Sequence, residues 1–123
     1  MPRVMLIDDD DAVRASIRKL LEREGHTVIE EADGKSALRH FAGNPADVVI
    51  SDVFMPDMSG IEFLIRVREV FPEAKIIVIS GGGYLTKESA LSNAAIFGAD
   101  RILEKPVEAE VLMKTVREVL ESR

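Results

Sequence analysis

Cysteine is missing from this chain, so disulfides, thiolate metal ligands and thiol nucleophiles are all excluded, which fits a reducing compartment. Tryptophan is also missing, and tyrosine occurs once, at Tyr84. No apolar stretch approaches the roughly 18 residues that a membrane helix requires, and Met1-Pro2-Arg3 runs straight into a strand pattern. The expectation is a cytoplasmic protein without a membrane partner. Positive charge is not in excess either. With 22 acidic against 16 basic residues the net charge is -6, which argues against a phosphate-neutralising surface and so against direct nucleic-acid binding. Internal repeats, low-complexity segments and linkers are absent.

What remains is an ordinary globular composition, 46% hydrophobic and 31% charged, in 123 residues. That length predicts one domain, residues 1–123, with a conventional core and no room for a separate cap or substrate domain. Apolar runs alternate five times with helical periodicity. The predicted strands are Val4 to Ile7, Thr27 to Ala32, Asp47 to Ser51, Lys75 to Ser80 and Arg101 to Glu104. Between them, Val13, Ile17, Leu20 and Leu21 share a helical face that ends at Gly25. Ser36 to Ala42 is stopped by Gly43-Asn44-Pro45, and Ile61, Leu64, Ile65, Arg68 and Phe71 form a face stopped by Pro72. A weaker fourth helix spans Glu88 to Phe97, and Val111, Leu112, Val116, Val119 and Leu120 define a closing helix. This alternation implies a parallel sheet with helices on both faces.

Ligands of such a sheet bind beyond the carboxyl ends of the strands, where the winding reverses. Four polar features stand at or just after predicted strand ends: the cluster Asp8-Asp9-Asp10-Asp11, then Asp52, Ser80 and Lys105-Pro106. Asp8 and Asp9 crowded against Asp52 would repel one another, and a hard divalent cation with oxygen ligands, magnesium above all, answers that need. Asp10 or Asp11 is expected to cap the first helix instead. Asp52 is the best candidate nucleophile, because a carboxylate can attack phosphorus while a metal and an ammonium neutralise the phosphoryl oxygens. Pro106 fixes the backbone after Lys105 and can aim its stem into the crevice. Ser80 offers a hydroxyl, and Gly81 an unobstructed N–H, in a glycine-rich loop that continues through Gly82 and Gly83. His26 and His40 read as surface residues without a catalytic role.

Taken in order and in register, Asp8 and Asp9, Asp52 in the setting Asp-x-x-Met-Pro-x-x-x-Gly, Ser80 and Lys105-Pro106 resemble the receiver domains of two-component response regulators. The resemblance covers essentially the whole chain. It implies a flavodoxin-like (βα)5 three-layer sandwich with strand order 2-1-3-4-5. It also implies that Asp52 takes a phosphoryl group from a sensor histidine kinase or a histidine phosphotransfer protein. Asp8, Asp9, Asp52 and the Phe54 backbone carbonyl would bind Mg2+, and Ser80 and Lys105 would hold the phosphoryl oxygens. Such a domain is a phosphoacceptor rather than an enzyme, catalysing at most its own phosphorylation and hydrolysis. Its signal would pass to a downstream protein through the face of the fourth helix, fifth strand and closing helix, which also serves weak homodimers of an otherwise monomeric chain. The start at Met1 and the full last helix suggest a stand-alone receiver.

Two departures from the family pattern stand out. Ile102 occupies the fifth-strand position where most receivers carry a switching Tyr or Phe, and Val107 follows Lys-Pro where Phe is common. Signalling is therefore expected through reordering of Gly81 to Tyr84, with Tyr84 as reporter. Phe54 and Gly82, each two residues beyond a site residue, cannot orient an attacking water with their side chains, which predicts slow self-hydrolysis. Competing readings are a pseudo-receiver used only for protein binding, a haloacid-dehalogenase-like phosphatase built on Asp8-x-Asp10, and a flavin carrier of the same fold class. The first leaves an intact polar set without purpose, the second leaves Asp52 and Lys105 unexplained, and the third wants hydroxyls and amides where four acids stand.

Overall fold

The computed structural model describes residues 2–52, 60–80 and 99–122; of residues 60, 61 and 80 the backbone alone is described. The glycine loop with Gly81, Gly82 and Tyr84, the expected fourth helix and Phe54 lie outside the described residues. Five strands form one parallel sheet: β1 (Arg3–Ile7), β2 (Thr27–Glu31), β3 (Val48–Asp52), β4 (Ile76–Ser80) and β5 (Arg101–Glu104). Their order is β2-β1-β3-β4-β5, as the sequence reading expected. Helices α1 (Asp11–Arg23), α2 (Gly34–Gly43) and α3 (Gly60–Val70) follow the first three strands, and a C-terminal helix (Ala109–Glu121) follows β5.

Side chains alternate across a strand, so an all-apolar strand feeds two cores. Val4 and Leu6 of β1, Val48 and Ile50 of β3, and Ile77 and Ile79 of β4 pack with Ile17 and Leu21 of α1 and with the C-terminal helix. Met5, Ile7, Val49, Ile76 and Val78 point the other way, onto Ala37 and Phe41 of α2 and Phe63, Leu64 and Val67 of α3. The result is a three-layer sandwich with β1, β3 and β4 buried on both faces. Each fully buried Leu, Ile or Phe side chain contributes about 1.5–3 kcal/mol of transfer free energy. Edge strands β2 and β5 are only half-buried or exposed.

Helix ends follow local chemistry. Asp10 caps α1, its Oδ1 accepting from Ala12 N at 3.0 Å and Val13 N at 3.1 Å. Gly25, at φ +88°, closes the same helix in a Schellman turn, with His26 N donating to Leu21 O and Gly25 N to Glu22 O. Asp33 caps α2 through Ser36 N at 2.8 Å.

Two helix faces depart from the expected ones. In α3 the buried residues are Phe63, Leu64 and Val67, while Ile65 and Arg68 are half-buried. In the C-terminal helix Val111 is 44% exposed, and Met113 and Thr115 are buried beside Leu112, Val116 and Val119. Continuous apolar stretches leave the helical phase open, and packing on the sheet sets it. Thr115 satisfies its buried hydroxyl by donating to Val111 O at 2.7 Å. His26 is also not a plain surface residue: it is half-buried, and its Nδ1 is shielded without a hydrogen-bond partner among the described residues. His40 is exposed and pairs with Glu31 at 2.9 Å.

Candidate functional site

β1 is flanked by β2 on one side and β3 on the other, so the winding reverses between β1 and β3. Ligands of doubly wound sheets bind in the crevice beyond that point. The pairing of Ile7 with Ser51 brings the next residues, Asp8 and Asp52, side by side at the carboxyl end of the sheet. Both are buried, at 1% and 7% exposure, whereas Asp9 is exposed. Carboxylate oxygens of Asp8, Asp9 and Asp52 all lie within 4.8 Å of one another.

Lys105 enters from the far side of the sheet. It follows β5 immediately, and its bond to Pro106 is cis. Its Nζ lies 3.0 Å from Asp8 Oδ2 and donates to Asp52 Oδ2 at 3.1 Å. Burial alone pulls the Lys105 pKa down, but the hydrogen bonds and charges of Asp8 and Asp52 outweigh it and raise it above the ordinary lysine value. The ammonium is therefore held protonated. Among the described residues, three carboxylates against one ammonium leave the cluster two charges short of neutral, the deficit that one divalent cation fills.

Asp8 is held by its backbone and by one oxygen. Its N–H donates to Glu31 O at 3.2 Å, and its Oδ1 accepts from Asp10 N at 2.9 Å. The other oxygen, Oδ2, is buried against the Lys105 ammonium and meets no further donor among the described residues. That ammonium is shared with Asp52, and carboxylates crowded in this way repel one another unless a further cation coordinates them. The donor set is all oxygen, with an exposed member at Asp9, and it fits a hard cation such as magnesium, which binds through one or two carboxylates and keeps waters.

Of the residues singled out from sequence, Asp8, Asp9, Asp52 and Lys105 are thus brought together. Ser80 ends β4, its backbone level with Glu104, one residue before Lys105. Ile102 is half-buried in β5, level with Val78. Asp10 caps α1 through its Oδ1, the role expected of it or of Asp11. Sequence reasoning missed Arg14, which donates to the backbone carbonyl of Asp8, and Glu30, which braces Arg14 from β2. The available signal was the Asp11–Arg14 spacing on a helix, since residues three apart are neighbours there.

The model of the response regulator receiver domain matches residues 4–117. Among curated proteins, the chain is 38% identical over 122 residues to the sensor kinase CckA of Brucella abortus, covering 98% of this chain and 13% of that protein. It is 35% identical over 118 residues to the response regulator MprA of a Mycobacterium species, covering 96% of this chain and 50% of the regulator. The chain therefore spans about an eighth and a half of these two relatives. Among solved structures, a CheY-like receiver domain protein from Methanospirillum hungatei superposes with a TM-score of 0.89 at 29% identity, covering 98% of this chain and 94% of that one. A receiver domain protein from Clostridium thermocellum gives 0.86 at 30%, again over 98% and 94%. The acidic crevice, the strand order and these likenesses agree: the chain belongs to the response regulator receiver domain family of two-component systems.

Proposed function

We propose that this receiver accepts a phosphoryl group on Asp52 from the phosphohistidine of a sensor histidine kinase or a histidine phosphotransfer protein, with magnesium bound at Asp8, Asp9 and Asp52. The observation that carries this reading is the double ion pair of Lys105, 3.0 Å from Asp8 and 3.1 Å from Asp52, beside a third carboxylate. A surface lysine has no need of two buried acids. A phosphoacceptor site does need a fixed ammonium beside its nucleophile.

An Asp52 carboxylate oxygen attacks phosphorus, the nitrogen–phosphorus bond of the donor breaks, and its electron pair returns to the imidazole ring. Hydrolysis later cleaves the acyl phosphate, restoring the carboxylate and releasing inorganic phosphate. Lys105, kept protonated by its two acids, is the group that neutralises a phosphoryl oxygen. Magnesium, when bound, offsets the negative charge of the acids and the transferred group. By the family's pattern, Phe54 contributes its backbone carbonyl to the metal and Ser80 its hydroxyl to a phosphoryl oxygen. The phosphorylated state adds about -1.5 to -2 of charge to the crevice, and that change is passed to a downstream protein. With Ile102 in β5, transmission falls to the Gly81 to Tyr84 loop rather than to a strand aromatic.

Intact mass after incubation with acetyl phosphate, with and without magnesium, tests the reading. The expected result is a magnesium-dependent gain of one phosphoryl group that Asp52→Ala abolishes. No gain under any condition returns the chain to a binding-only role, and a gain that survives the substitution moves the nucleophile to the Asp8 to Asp11 cluster.

A further inference from the structure

Arg14 stands in the first turns of α1 with its side chain only 16% exposed, and its side-chain hydrogen bonds among the described residues run to the acidic turn or its support. Its Nη1 donates to the backbone carbonyl of Asp8 at 2.5 Å, and its Nη2 to Asp11 Oδ1 at 2.6 Å. Its Nε donates to Glu30 Oε1 at 3.2 Å, and Glu30 is held in turn through Oε2 by Arg18 Nη1 at 2.6 Å. One planar fork thus ties the turn to α1 and to β2.

We propose that Arg14 is a positioning residue for the metal-binding turn, setting the direction of both the Asp8 and the Asp9 carboxylates; this rests on reading that turn as the magnesium site. The Asp8 carbonyl and the Asp9 N–H belong to one rigid peptide plane. Holding the carbonyl therefore fixes where the Asp9 side chain departs. The same turn carries the Asp10 N–H that holds Asp8 Oδ1, so the guanidinium sets both acids from behind. Outer partners of this kind orient metal ligands. A lysine cannot replace the fork, because an ammonium is a point charge on a flexible stem.

Charge alone makes the opposite prediction, and this separates the two explanations. A permanent cation beside a cation site repels the metal, so removing it without any positioning role strengthens binding. The test is the dissociation constant for Mn2+, read from the electron paramagnetic resonance of the free ion, with Mg2+ as competitor. Wild type is compared with Arg14→Gln and Arg14→Lys, and far-UV circular dichroism checks folding.

Both variants are expected to bind Mn2+ about tenfold or more weakly, the lower end of the effect of losing an outer partner. Binding by Arg14→Gln equal to or tighter than wild type, or by Arg14→Lys equal to it, overturns the positioning role. Should the glutamine variant fail to fold, Arg14→Lys, which keeps the charge and the stem, decides alone. Wild-type protein that takes up no Mn2+ overturns the metal reading and this role with it. Wild-type uptake that both variants share overturns the role of Arg14 alone.

Discussion

Lys105 Nζ donates to Asp52 Oδ2 at 3.1 Å, joining the segment after β5 to the end of β3 across the intervening β4. The same nitrogen ion-pairs with Asp8, so one side chain links the carboxyl ends of β1, β3 and β5. Replacing it by methionine keeps much of the stem and removes an ion-pair partner of two buried acids. Lys105→Met is expected to destabilise the metal-free protein by about 1–3 kcal/mol, the range for taking a hydrogen-bonding partner from buried polar groups. Magnesium is expected to recover part of that loss. Urea unfolding midpoints of both proteins, with and without magnesium, check the sign and the rescue.

The raised pKa of Lys105 gives this stabilisation a pH window. In the unfolded chain lysine titrates near its ordinary value of about 10.4. Since the folded value is higher, the contribution is complete below the unfolded value and is lost as pH climbs through the folded one. In buffer free of divalent ions, the stability difference between wild type and Lys105→Met is expected to stay constant from neutral pH to about 10 and to shrink above it. A difference that shrinks already between pH 7 and 9 contradicts the ion pair as its source.

Asp9 is expected to behave in the opposite sense. It is the exposed member of the acidic trio, adding negative charge beside two buried carboxylates that share one ammonium. Asp9→Asn relieves repulsion in the metal-free state, so the protein is expected to gain up to about 1 kcal/mol, within the usual range of surface charge effects. Magnesium affinity is expected to fall about tenfold or more, equivalent to ~1.4 kcal/mol. Thermal unfolding without metal and calorimetric titration with it measure the two effects on one sample. A variant that loses stability and keeps its affinity removes Asp9 from the site.

The crevice was legible in the sequence because charge interrupts apolar runs at the strand ends: Asp8 after Ile7, Asp52 after Ser51, Lys105 after the fifth strand. Each interruption marks where a buried strand meets water, and a parallel sheet puts all such ends on one edge. The face of α3 was less legible. Phe63-Leu64-Ile65 is apolar without a gap, so local periodicity cannot choose between Ile65 and Phe63 as the buried member, and the sheet buries Phe63. Val111-Leu112-Met113 poses the same problem in the C-terminal helix. The brace from Arg14 to β2 and the role of Asp100 were illegible for a different reason. Their partners Glu30 and Ile76 lie 16 and 24 residues away, on elements that meet only in the folded chain.

Asp100 organises the opposite end of the sheet, where β4 begins. Its Oδ2 accepts from Ile76 N at 2.7 Å and from Arg68 Nη2 at 3.1 Å, and its own N–H donates to Ile76 O at 2.9 Å. Arg68 also donates to Pro72 O at 2.9 Å, so the carboxylate ties the end of α3 and the turn after it to the entry of β5. Removing it leaves the Ile76 N–H without its acceptor and takes away the acid that Arg68 meets. Asp100→Ala is therefore expected to cost about 1–3 kcal/mol, the penalty for an unpaired buried donor. Asp100→Asn keeps an acceptor of the same shape and is expected to cost less, about 0.5–1.5 kcal/mol. Because the crevice lies at the other end of the strands, neither change is expected to alter phosphoryl uptake from acetyl phosphate while the protein stays folded. Urea unfolding measures the first effect and intact mass the second. Unchanged unfolding midpoints would mean that water replaces the carboxylate at no cost, and lost uptake in a folded variant would mean that the two ends of the sheet are coupled.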